Sequence, residues 1–395
     1  MTPKKAFYFS IGIRMLMLFF CISICFVRFI ESDDAIKQGI MEKEKISLAV
    51  AVEKVDVQLC KDLLRKGVST EGVLADGSTP LHLAALNSPG DESFGLLKEL
   101  LSYFSNPTVK DHEGRTAVHR SCINTKNKDR RNETVGLLLL HGGDILAINN
   151  NKRDVLSDIV TLQSKDNIAD FMRHWGFLLS RDSIEKAKEL AGNSAGVGLG
   201  YTDIYETIKQ YGSLGKDALL AENKKNTGLP TLFLQVIKGE WQEIIDKAEK
   251  EGELAIVLEE RYGKLSVLFL ALLRGEKKLA KRLLRGGIGL GHVDLWGRTV
   301  LHIIVGSQLL SEKEKIKLLD IALEKGCKDI GDKNGDTLVH IATRNNYVSL
   351  LCFLKEKQSK RISFDRRNNN GDRPVEIANR YGKTKIVELL TTNNI

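Results

Sequence analysis

An all-α solenoid of stacked helix–turn–helix units is the fold class that this 395-residue chain predicts. Three observations lead there. The outline of "DGSTPLHLAAL", Asp76 to Leu86, returns as "EGRTAVHRSC" at Glu113, "WGRTVLHIIV" at Trp296, "NGDTLVHIAT" at Asn334 and "NGDRPVEIAN" at Asn370. The turn glycines Gly77 and Gly114 lie 37 residues apart, and beyond a long break Gly263, Gly297, Gly335 and Gly371 follow at 34, 38 and 36, a period that marks small stacked helical units. Six prolines and 6% aromatic residues suit helices better than a β-sandwich.

The chain opens differently from the way it continues. Lys4, Lys5 and Arg14 precede the apolar run Met15 to Val27, and "FIESDD" follows Arg28. A basic start, about a dozen apolar residues and an acidic exit match a signal peptide. Counted from Ile11 to Ile30, with its arginines reaching the interface, the same run is long enough for an uncleaved anchor. The chain is therefore expected to be membrane-associated or secreted through residues 1–32, with its body across the membrane from its N-terminus.

Each unit then explains itself. A polar turn with glycine leads to Thr, which caps a helix start, and Pro is tolerated at the first helical position. Leu and Ala-Ala face the neighbouring unit, where small residues permit close stacking. A second apolar stretch follows, such as "LLKELLSYF" from Leu96, "LAKRLLRGG" from Leu279 and "LLCFLKE" from Leu350. Gly142-Gly143, Gly286-Gly287 and Gly326 stand where a helix end needs a left-handed residue. No unit can bury its apolar face alone, so neighbours must stack.

These residues resemble the ankyrin repeat family, whose units read D-x-x-G-x-T-P-L-H-x-A-A and then a helix ending L-L-x-x-G. Gly77, Thr79, Pro80, Leu81, His82, Ala84 and Ala85 match it, as do Asp111, Gly114, Thr116 and His119. Asp294, Gly297, Thr299, Leu301 and His302 form a third set, and Asp332, Gly335, Thr337 and His340 a fourth. The last unit keeps Gly371 and Pro374 but has Arg373 for Thr and Glu376 for His. Weaker copies run from Ile46 to Val68 and after Asn150, Gly228 and Gly263, giving about nine units. The expected organisation is a leader at 1–32, repeats at 40–180, an irregular helical and glycine-rich insert at 181–227, and repeats at 228–395.

The resemblance implies a non-enzymatic scaffold that binds a protein partner through turn tips and inner helices. The variable tip residues are then the candidate partner surface: Asp76, His112, Glu113, Asn149, Asn150, Leu295, Trp296, Lys333 and Asn334. Trp296 stands out, because a large aromatic beside a turn glycine is a frequent hot-spot type. A second reading uses the basic stretch Arg261 to Arg285. There Lys277, Lys281 and Arg285 are spaced four apart on one helix face and would meet nucleic acid or anionic lipid. The net charge of +8 permits such partners without requiring them, and aromatics for base stacking are missing, which disfavours nucleic acid. A third reading places an enzyme site in the insert, but neither GxxxxGK[ST] nor GxGxxG occurs there.

No cofactor, metal or small-molecule substrate is expected. His82, His119, His302 and His340 hold one place in four separate units, so they cannot converge on one ion. The six cysteines are scattered without a CxxC pair, against both a metal site and a disulfide framework. Asn132-Glu133-Thr134 reads as a glycosylation sequon if the chain enters a eukaryotic secretory route.

Overall fold

The computed structural model describes residues 48–88, 90–123, 128–162, 165–194, 201–250, 261–358 and 361–392. The leader expected at 1–32 lies outside them. No helix of the described residues is long and apolar enough to cross a membrane. These residues form an all-α solenoid; the one described sheet is a hairpin of Arg261–Tyr262 with Leu265–Ser266.

The unit beginning at Asp76 shows how sequence becomes structure. Thr79 is extended, Pro80 opens the helix Pro80–Asn87, and Thr79 and His82 form a capping box that satisfies the first free N–H groups. The Thr79 N–H donates to His82 Nδ1 at 3.2 Å. Nδ1 therefore holds a lone pair and the ring proton sits on Nε2, which donates to the carbonyl of Arg115 in the next unit at 3.0 Å. The same histidine thus starts its own helix and ties two units together. Leu81, Ala84 and Ala85 are buried between neighbouring units, with Leu97 and Leu100 of the second helix Asp91–Ser102 behind them.

Helix pairs repeat this plan. The helix Val57–Arg65 ends the first described unit; pairs Pro80–Asn87 with Asp91–Ser102, Ala117–Ile123 with Lys128–Leu140, and Val155–Leu162 with Lys165–Trp175 follow. The stretch read as an irregular insert is largely regular. Helix Arg181–Ser194 stacks on Val155–Leu162 and helix Tyr201–Gly212 on Lys165–Trp175, so the stack continues for one more pair without a turn tip. Helix Lys216–Thr227 then lies back across Lys165–Trp175 and the short 3-10 turn Gly176–Leu178. From there Thr231–Lys238 with Trp241–Lys250, Val267–Leu273 with Lys277–Gly286, Val300–Gly306 with Glu312–Glu324, Leu338–Arg344 with Val348–Gln358, and Pro374–Arg380 with Thr384–Thr391 complete the chain.

The second arm returns along the first. Asn370 Nδ2 donates to the Arg65 carbonyl at 3.2 Å, and Arg380 Nη1 and Tyr381 Oη donate to the Lys66 carbonyl at 3.0 and 2.7 Å. Arg298 Nη1 reaches the carbonyls of Leu101 and Ser102 at 3.3 and 3.0 Å. Arg274 Nη1 reaches those of Leu139 and Gly143 at 2.6 and 3.1 Å. Asn223 Nδ2 donates to the Arg173 carbonyl at 2.6 Å. The last turn of a helix has carbonyls without intrahelical partners and a partial negative charge. In the first arm, residues 48–212, the helices Val57–Arg65, Asp91–Ser102, Lys128–Leu140 and Lys165–Trp175 therefore have their C-terminal ends capped by side chains from later in the chain. Glycines allow the close approach: a Cβ at Gly306 would lie 2.3 Å from the Phe104 ring, and one at Gly142 would lie 2.7 Å from Leu309.

One buried charge works against stability. Lys315 is 1% exposed, with its ammonium 3.7 Å from the Tyr347 ring centroid. Burial pulls its pKa down to about 7, with Glu312 offsetting part of the effect. The unfolded lysine holds its proton to far higher pH, so stability should rise as pH climbs from 7 towards 10. Lys315→Met is expected to stabilise the protein by about 1–4 kcal/mol at pH 7 and to flatten that rise, read by urea denaturation at several pH values.

Candidate partner-binding surfaces

Consecutive turn tips form a ladder. The His112 N–H donates to the Asp76 carbonyl, Asn150 to Glu113, Lys333 to Trp296 and Asn369 to Asn334, all at 2.9–3.0 Å. The tip glycine is fixed by this ladder as well as by its own backbone. At Gly114 φ is +75°, and a Cβ would lie 2.6 Å from the Asn150 nitrogen.

The first residue of each tip is framework. Asp111 Oδ1 accepts the N–H groups of Glu113 and Arg115, and Asp294 Oδ1 those of Trp296 and Arg298. Asn149 holds this position in its unit. Its Oδ1 accepts from Asn151 and Arg153, its Nδ2 donates to Asp158 at 2.8 Å, and it is 5% exposed. Asn149 therefore does not present a side chain to a partner; the sequence pattern alone did not separate it from its exposed neighbours.

The remaining candidates divide between the arms. Asp76, His112, Glu113 and Asn150 are exposed on the first arm. Asp76 accepts from the Ser78 N–H and hydroxyl and pairs with Arg120 at 3.6 Å, and Asn150 Nδ2 donates to the His112 carbonyl. On the second arm Lys333 is exposed, while Asn334 donates to Tyr103 Oη at 3.4 Å. Trp296 is only half-buried, yet it is not free. Its ring meets His141 of the first arm edge-on at 5.9 Å, and the Arg298 guanidinium covers its face at 4.5 Å. The aromatic expected to anchor a partner is part of the joint between arms.

Leu295 differs. It is 58% exposed and lines a cleft of about 650 Å³ between the arms, as does Tyr262. Helix Lys128–Leu140 contributes Asn132, Gly136, Leu137 and Leu140 to the cleft lining, together with Phe94 and Trp175. Lys98 and Arg130 lie over the Phe94 ring at 4.2 and 4.3 Å. The lining mixes apolar side chains with the charged groups Lys98, Asp129, Arg130 and Glu133, a combination that suits a recognition site. Leu295 was legible as a tip residue, but the cleft needs residues from far-apart units and had no local signature.

The basic face is partly neutralised. Lys277 pairs with Glu314 at 2.5 Å, and Arg282 pairs with Glu249; Lys281 and Arg285 are exposed. His302 Nε2 donates to the Asp336 backbone carbonyl and His340 Nε2 to that of Asp372, tying neighbouring units together, and the described residues contain no cluster able to hold a metal ion. The sequon is closed to modification in the folded protein. Asn132 is buried, its Nδ2 donates to Asp170 at 2.8 Å and its Oδ1 accepts from Trp175 at 3.3 Å.

Comparison with known proteins agrees with this architecture. Residues 48–156 match the family model for ankyrin repeats in three copies. A protein of Rickettsia bellii (strain RML369-C) named for its ankyrin repeats is 28% identical over 130 residues, 32% of this chain and 67% of the relative's length. Residues 48–156 are thus ankyrin repeats, and the Thr-x-x-His capping box, the tip ladder and the stacked helix pairs recur beyond them, at Thr299–His302 and Thr337–His340.

Proposed function

We propose that this chain is a non-enzymatic scaffold of about nine ankyrin-type repeats that holds a protein partner in the cleft between its arms. The observation that carries the reading is the exposed tip Leu295, which lines the same cleft as Tyr262. Other described tips place His112, Asn150, Lys333 and Asn369 at the position of Leu295. A large apolar residue left exposed at a tip and lining a cleft is the pattern of a partner contact. The exposed tip residues Asp76, His112, Glu113 and Asn150 offer a polar surface further along the first arm. Delivery to or across a membrane by residues 1–32 remains part of the proposal, resting on their basic-apolar-acidic order.

Affinity capture with the full chain tests it. Leu295→Arg should reduce the captured partner at least about tenfold, the loss expected for a hot-spot residue. Lys281→Glu with Arg285→Glu should leave capture unchanged. The opposite pattern, with binding that falls steeply as salt rises, would move the function to the basic face and an anionic partner.

A further inference from the structure

Buried arginines in this protein come with a carboxylate. Arg120 pairs with Asp111 at 2.5 Å, Arg131 with Asp170 at 2.7 Å, Arg298 with Asp294 at 2.5 Å and Arg344 with Asp336 at 2.5 Å. Arg274 differs. Its guanidinium meets carbonyls alone: Leu139 and Gly143 through Nη1, and Ile237 through Nη2 at 2.7 Å. Its Nε is shielded from solvent and has no acceptor. A desolvated cation without a counter-charge is costly, and proteins ordinarily pair such groups.

Arg274 lines a cavity of about 250 Å³. Lys238 lines it too, its ammonium 4.2 Å from the Phe177 ring centroid and 3.4 Å from a Glu240 carboxylate oxygen. The turn Gly143 to Leu146 forms another wall. Two carboxylates act on Arg274 from a distance, and both are engaged elsewhere. Asp144 Oδ1 accepts the Leu146 N–H at 2.8 Å, and Glu276 accepts from Trp241 at 2.9 Å. Two cationic side chains thus line one cavity where the arms meet, and one of them carries a guanidinium donor without an acceptor.

We propose that this cavity binds a small tetrahedral oxyanion, inorganic phosphate or sulfate, between Arg274 and Lys238. Arginine suits such a ligand because its planar donor fork matches the spacing of oxyanion oxygens, and hydrogen bonds to a charged group are the stronger kind. Arg274 already joins the end of helix Lys128–Leu140 to the end of helix Thr231–Lys238, so a bound anion would brace both arms at their joint.

The test is thermal melting and calorimetric titration of the full chain with sodium phosphate, at ionic strength held constant with chloride. Sulfate and acetate arms distinguish a tetrahedral oxyanion from any carboxylate. The melting temperature should rise with phosphate and saturate, as binding to the native state alone requires. Asp144→Asn removes a repelling charge at the wall and should lower the half-saturating concentration by about tenfold; Lys238→Met removes an attracting one and should raise it by a similar factor. Neither variant touches the carbonyl contacts of Arg274. The proposal is overturned if chloride, acetate and phosphate act alike. It is also overturned if Asp144→Asn lowers the melting temperature while leaving the phosphate response unchanged, which would make Asp144 the counter-charge of Arg274.

Discussion

Arg298→Met should lower stability by about 3–5 kcal/mol, the range for removing one member of a buried ion pair. Arg298 is 1% exposed, and its Nε donates to Asp294 Oδ2 at 2.5 Å. Its Nη1 caps the end of helix Asp91–Ser102, and its guanidinium lies over the rings of Phe104 and Trp296 at 4.4 and 4.5 Å. The substitution strands the Asp294 carboxylate, which is 4% exposed, and frees two helix-end carbonyls. Urea denaturation of Arg298→Met, Asp294→Asn and the double variant separates these effects. The double variant should be less destabilised than the sum of the singles, because it leaves no unpaired charge. Small-angle scattering supplies the second readout. If the arms are held by these side chains, the radius of gyration of Arg298→Met increases; unchanged dimensions would confine Arg298 to its own tip.

The other large effect is a response to acid. His302 is fully buried, and burial pulls its pKa down to about 4. Arg298 lowers it further, while the bond to the Asp336 carbonyl and the carboxylates of Asp294 and Asp336 act in the opposite direction. The unfolded histidine titrates near 6.5, so the folded state favours the neutral ring. That contribution is present in full above pH 6.5 and is lost as pH falls from 6.5 towards 4. For His302 the loss at pH 4 is about 3 kcal/mol. His82, His119, His141 and His340 are shifted the same way by burial. Asp329 and Asp332 work against them, since burial raises both to about 6 and their protonation relieves that burden. His302→Gln isolates one histidine from this balance. The parent's advantage over that variant should shrink by about 3 kcal/mol between pH 7.5 and pH 4, read from denaturation midpoints. A difference that stays constant with pH would mean that the ring does not titrate between the two states.

The units were legible because their logic is local. Thr and His three residues apart, a glycine before them and Leu-Leu after them make a cap, a turn and a core face within one unit, and each was visible in sequence. The doubling-back was not. Arg274 belongs by sequence to a basic stretch, yet its side chain turns inward to three carbonyls, while Lys281 and Arg285 face solvent. Nothing in residue order distinguishes an arginine that caps a helix of another arm from one that is solvated. Trp296 was conspicuous for its size, but its neighbour His141 lies 155 positions away. The pair Arg181–Ser194 and Tyr201–Gly212 escaped the period because it lacks the tip and the Thr-x-x-His cap. Ile184, Ala187 and Ala191, with Ile204 and Ile208, nevertheless give it a buried face at helical spacing.

The return of the second arm along the first bears on how such a gene could change. An ordinary repeat array lengthens by copying one unit, because each unit answers only to its neighbours. Here Lys66, Leu101 and Leu139 meet Arg380, Arg298 and Arg274 in antiparallel order. A duplication within one arm would slide the donors beyond it past their carbonyls by a whole unit. Gain or loss of units is then tolerated in matched pairs, one in each arm, or beyond the paired region, so the number of repeats is inherited as a set.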